Sequence, residues 1–219
     1  MKTGYNKGIK LKKILITGAS GLLGKSLVEV CLENNLFVIA QYHKSKPESQ
    51  KNCQWLQADF FDLKSIKTFL KKNQPDLAGC HYLINTYGPI TLKSVPELKS
   101  EDYYHDFFHN VLTVIEITQF FIHHTLLQSV VNIGFENLGK IMAYKEALPY
   151  AIAKNALLLI TKSFARYYKN IRFNLVSPVT LYGAIEKLKN GNQVFPRLVA
   201  ENIYDIISGK KSGLNVTIE

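Results

Sequence analysis

Short continuous apolar runs alternate along this chain with longer segments whose apolar positions return every three to four residues. The first kind reads as strands buried on both faces, the second as helices covering them. Residues 12–17 (KKILIT) predict a strand, 23–34 a helix with Leu23, Leu27, Val30 and Cys31 on one face, and 36–40 a second strand. The pattern continues with strands near 54–58, 81–85, 129–133, 171–176 and 214–218. Helices are predicted near 63–72, over a long stretch ending around His124, and near 149–168 and 194–208. Strands separated by crossover-length helices predict an α/β fold: a single-domain, doubly wound parallel sheet of about seven strands with helices on both faces.

A chain of 219 residues suits one domain, with residues 1–11 a basic extension and 12–219 the folded unit. No repeat or low-complexity segment interrupts it. The stretch 134–148 is long for a loop, which marks it as a functional rim.

Composition narrows the partners. Hydrophobic residues make up 47% and charged residues 20%, and no apolar run approaches the roughly 18 residues of a membrane span. The basic start is followed by ILITG, broken too early by glycine for a signal-peptide core, so a cytoplasmic protein without membrane association is expected. Cys31, Cys53 and Cys80 lack CxxC spacing and read as free thiols, with no disulfide framework and no metal site. The net charge of +10 comes from scattered lysines without interleaved aromatics, which argues against a nucleic-acid partner. A lysine-rich surface serving in part an anionic cofactor accounts for it.

The candidate chemistry lies at strand ends. Gly18, Gly21 and Gly24 stand between the first strand and first helix, where glycines permit a tight turn and bring backbone N–H groups close to a pyrophosphate. Thr17, Ser20, Leu22 and Leu23 complete that Rossmann-type turn. The second strand ends in Tyr42, His43 and Lys44, without the acid that would bind an adenosine ribose diol. Positive charge there suits a 2′-phosphate, so NADPH is favoured over NADH. Asp59, followed by Phe60, is placed to accept from an adenine amine, and Asn85, Thr86, Tyr87 and Gly88 to form a backbone wall beside the cofactor. Tyr150 and Lys154, at i and i+4, share a helix face, where the ammonium would stabilise phenolate and lower the phenol's pKa. Pro178 and Thr180 follow the sixth strand, Thr180 as a positional candidate for a nicotinamide amide contact.

In this motif order the chain resembles the short-chain dehydrogenase/reductase family over nearly its whole length. The GxxGxxG spacing of Gly18, Gly21 and Gly24 is more like the family's extended or atypical branches. Asp59 matches the family's adenine-side acid, residues 85–88 its NNAG segment, and Tyr150 and Lys154 its Tyr-x-x-x-Lys pair. The resemblance implies hydride transfer between nicotinamide and a small-molecule substrate. Tyr150 would give the proton, Lys154 would hold the ribose and acidify the phenol, and Asn110 would anchor a water that reconnects Lys154 to solvent. It also implies that the helices carrying Val111 to Ile122 and Ala156 to Phe164 pair across a two-fold axis, giving a homodimer or homotetramer.

The departure is the family's catalytic serine. The stretch after the fifth strand reads Ile133-Gly134-Phe135-Glu136-Asn137, with no hydroxyl until Tyr144. Phe135, Glu136 and Asn137 all compete for the position. One reading is a reductase that needs no serine, similar to pteridine and dihydropteridine reductases, whose Tyr-His-Arg-Ser stretch resembles Tyr42-His43-Lys44-Ser45. The other is a non-catalytic NAD(P)-binding relative, a redox sensor or scaffold.

Overall fold

The computed structural model describes residues 11–44, 47–136, 138–139, 143–184 and 193–219. Ser45, Asn137 and most of the basic extension lie outside them.

Seven strands form one parallel sheet: β1 (Lys13–Thr17), β2 (Phe37–Tyr42), β3 (Cys53–Gln57), β4 (Cys80–Asn85), β5 (Ser129–Ile133), β6 (Arg172–Pro178) and, last in the chain, β9 (Asn215–Ile218). Their order is β3-β2-β1-β4-β5-β6-β9, so the chain runs outward from β1 to one edge and returns to fill the other. The order reverses between β1 and β4, where Thr17 pairs with Asn85, and ligands of open α/β sheets bind at such a switch point.

Helix α1 (Leu22–Glu33) and α7 (Pro196–Ser208) cover one face, with Leu27, Val30 and Cys31 of α1 buried together with Val199 and Ile203 of α7. On the other face lie α2 (Leu63–Lys72), α5 (Thr113–His124) and α6 (Leu148–Tyr167), with Phe69, Phe121 and Phe173 in the second apolar layer. Local chemistry sets the helix ends. Asp62 caps α2 by accepting from the Ser65 amide at 2.6 Å, and prolines sit in the first turns of α6 and α7, where a missing N–H costs nothing.

Three features depart from the expected elements. A short helix α3 (Gln74–Leu77) precedes β4, and a two-stranded parallel ribbon, β7 (Thr180–Leu181) with β8 (Gln193–Val194), sits outside the main sheet. The long helix is three pieces: α4 (Ser100–Phe107), a π-helical segment (Phe108–Leu112) and α5. The widened turn carries Asn110, and single π turns of this kind concentrate at functional sites. The 134–148 stretch meets the loop after β4 through an antiparallel bridge between Ser94 and Glu146.

Candidate active site

At the carboxyl ends of β1, β4, β5 and β6 a cavity of about 310 Å³ is lined by Gly18, Gly21, Leu22, Leu23, Thr86, Gly88, Tyr150, Lys154, Pro178 and Thr180. These positions come from the glycine turn, the loop after β4, helix α6 and the end of β6. The fold therefore joins into one volume residues that lie as far apart as Gly18 and Thr180 in the chain.

The glycine turn is fixed by close packing. Gly18 adopts φ +64°, and a β-carbon there would come within 3.0 Å of Thr86 Oγ1 and Tyr87 N. A β-carbon on Gly24 would lie 2.3 Å from the Gly18 carbonyl oxygen, so α1 starts directly against the turn. No side chain caps α1 and its first turn carries no acid, which leaves its positive end to the cavity. Gln41 is a brace that the strand pattern did not reveal. Its Oε1 accepts from the Gly18 amide at 2.7 Å and its Nε2 donates to the Ala58 carbonyl at 2.8 Å, tying the turn to the strand beyond. The sole sequence signal was a polar residue inside an otherwise apolar strand.

Around the reactive end, Lys154 is buried, donates to the Ile133 carbonyl at 2.7 Å, and places its Nζ 5.2 Å from the centre of the Tyr150 ring. Burial pulls its pKa down to about 7, against an upward pull from Asp106. The expected acidification of Tyr150 is not what the free chain shows: burial first, then Asp106, pushes the phenol upward. The physical reason is that confinement in an apolar pocket penalises phenolate, while the ammonium faces the ring and the Ile133 carbonyl. Asn110 Nδ2 donates to the carbonyls of Pro89 and Asp106 at 2.9 and 3.0 Å. Its Oδ1, buried, has no donor among the described residues and faces Gly88.

The serine question has a partial answer. Phe135 lines the cavity with its ring edge-on to Tyr150, centroids 5.6 Å apart. Glu136 does not line the cavity, and Asn137 lies outside the described residues. Ile90, Val179 and Leu181 also form the wall.

Other candidates sit elsewhere. His43, Lys44 and Asp59 border a separate surface depression together with Gln57 and Lys72, and His43 Nε2 is 3.1 Å from Asp59 Oδ2. Lys72, at the end of α2, was missed because nothing local distinguishes it from other surface lysines. Tyr42 is turned inward against Trp55, and Phe60 packs between Phe69 and Tyr87, so these two side chains serve the core. Asn85 also points inward, donating to Asn132 Oδ1 at 2.9 Å. Thr17 and Thr86 hold the turn together: Thr86 Oγ1 donates to the Thr17 carbonyl, and Thr17 Oγ1 accepts from the Tyr87 amide at 3.3 Å. Ser20 lies in the turn but outside the cavity lining.

The glycine cradle, the open end of α1 and the buried Lys154 fit an anionic dinucleotide. Among the described residues, no cluster of His, Cys, Asp and Glu could hold a metal ion, and no helix is long and apolar enough to cross a membrane.

The chain is similar in structure to a short chain dehydrogenase family protein from Francisella tularensis subsp. tularensis SCHU S4, with TM-score 0.82, 21% identity and coverage of 95% of this chain and 97% of that one. A short chain dehydrogenase from Leptospira borgpetersenii serovar Hardjo-bovis, solved with bound NAD+, superposes with TM-score 0.80 at 22% identity, covering 100% and 95%. A dehydrogenase/reductase from Sinorhizobium meliloti 1021 gives TM-score 0.80 at 19% identity, covering 94% and 93%. A search of the curated proteins found no match. The model of the NAD dependent epimerase/dehydratase family matches residues 14–214. The chain belongs to that family, within the NAD(P)-dependent short-chain dehydrogenases/reductases.

Proposed function

We propose that the chain is an NADPH-dependent reductase that delivers hydride to a small unsaturated substrate, a dihydropteridine-like heterocycle ahead of a simple carbonyl compound. The observation that carries this reading is the convergence of Tyr150, Lys154 and Gly88 on the cavity that the glycine turn also lines. The reduced nicotinamide, when bound, supplies the hydride. Tyr150 then gives its proton to the substrate heteroatom, and Lys154 orients the ribose and carries the replacement proton. Burial favours the protonated form of the Tyr150 phenol. Phe135, Ile90 and Leu181 offer an apolar wall, and a ring system gains more from it than a small ketone does. His43, Lys44 and Lys72 around the second depression support the choice of NADPH through charge.

Exposed Ile152 and Leu159 on α6, 47% and 68% accessible, support a homodimer through that helix, checked by light scattering of the purified protein. A cytoplasmic site of action accords with the free thiols of Cys31, Cys53 and Cys80.

The second reading, a non-catalytic NAD(P) binder, is favoured by one feature: an aromatic ring where a hydroxyl would donate to substrate. The deciding experiment follows NADPH oxidation with quinonoid and dihydro pterins beside small ketones, aldehydes and quinones, with cofactor binding measured in parallel. Turnover on a pterin and none on carbonyls supports the first reading. Tight binding with no turnover on any substrate retires it in favour of the second.

A further inference from the structure

Among the described residues, Asp106 and Lys154 are the only Asp, Glu, Lys or Arg side chains that are buried, 0% and 4% exposed. They stand on helices packed against each other, α4 and α6. A buried ammonium with a single carbonyl acceptor is costly, and an opposite charge nearby is what offsets that cost.

The Asp106 carboxylate is held in place from two sides. Thr91, in the loop after β4, donates its amide to Oδ2 at 3.1 Å and its hydroxyl to Oδ1 at 2.8 Å. His105 Nδ1 lies 3.0 Å from Oδ1. The backbone carbonyl of the same residue accepts from Asn110, so one position organises both the carboxylate and the amide that faces Gly88. The ionisable groups around it are Tyr150 and Lys154 from α6, His105 from α4 and His109 from the π segment. His109 in turn bonds Tyr87 Oη at 2.9 Å and feels the more distant Asp59.

We propose that Asp106 is the internal counter-charge that favours the ammonium form of Lys154 against its burial, and is thereby a positioning residue for the proton step. Its pull on Lys154 opposes the effect of burial. Without it less of the lysine would be an ammonium able to return a proton to Tyr150. The role in catalysis rests on the reductase reading; the electrostatic coupling does not.

The test therefore reads Lys154 itself. In the full chain without cofactor, lysine-labelled protein is titrated by NMR at the Cε resonance, with Lys154 assigned by its loss in Lys154→Met. Asp106→Asn, which keeps the side chain's shape, should lower the Lys154 midpoint by roughly one unit, in line with removal of a nearby opposite charge. Thr91→Val, which removes one hydrogen bond and keeps the charge, should leave the midpoint in place. In the wild type the Asp106 carboxyl resonance should inflect at the pH where Lys154 titrates, a measurement that needs no variant. An unchanged midpoint in folded Asp106→Asn, an equal shift in Thr91→Val, or no shared inflection overturns the proposal. Once a substrate is found, the basic limb of kcat should move to lower pH in Asp106→Asn with KM little changed. Absence of turnover would count against the reductase reading and leave the Lys154 titration standing as a separate result.

Discussion

A β-carbon on Gly88 would lie 2.2 Å from Oδ1 of Asn110 and 3.6 Å from Nζ of Lys154. Glycine at this position is what lets the loop after β4 approach the π turn and the buried ammonium together. Gly88→Ala must displace Asn110, whose amide nitrogen is held by two carbonyls. We expect a stability loss of about 1–3 kcal/mol, typical of overpacking, seen as a lower urea midpoint, together with weaker cofactor binding.

Tyr150→Phe removes the proton donor and keeps the ring that packs on Phe135. Turnover should fall about 100-fold or more, while cofactor affinity by fluorescence titration stays within about twofold. An unchanged rate would sink the mechanism.

Lys154 also leaves a mark on stability. Its pKa in the folded chain is about 7, below its ordinary 10.5, so between these values the unfolded chain holds a proton that the folded chain has lost. Stability must then rise with pH through this window. Above about 9 the opposite contribution begins, because burial raises the thiols of Cys31, Cys53 and Cys80. The urea midpoint should increase from pH 7 to pH 9 and do so less in Lys154→Met; a parallel slope in the two proteins would refute the assignment.

Cofactor choice can be read from Lys44, which with Lys72 borders the depression beside Asp59. Lys44→Ala should weaken NADPH by roughly tenfold, the loss of one charge-assisted contact, and leave NADH nearly unaffected. Calorimetry with both cofactors checks this, and equal weakening would retire the 2′-phosphate assignment.

The order of strands and helices was written in the chain, because strands buried on both faces and helices buried on one leave distinct apolar periods. The predicted helix at 63–72 coincides with α2, and the predicted strand at 129–133 with β5. Gly18, Tyr150 and Lys154 were legible as well, since a turn of positive φ needs glycine and an i,i+4 pair shares a helix face whatever surrounds it. Tertiary structure alone decided the rest. The direction of the Tyr150 shift depends on how much water the surrounding elements exclude, and no local spacing encodes that. Gln41, Phe135 and Asp106 gain their roles from partners on other elements: Gly18 and Ala58, Tyr150, and Thr91 with Lys154. Such contacts exist only once the sheet has brought the carboxyl ends of its strands together, so packing, rather than sequence pattern, determines which of these residues serve the site.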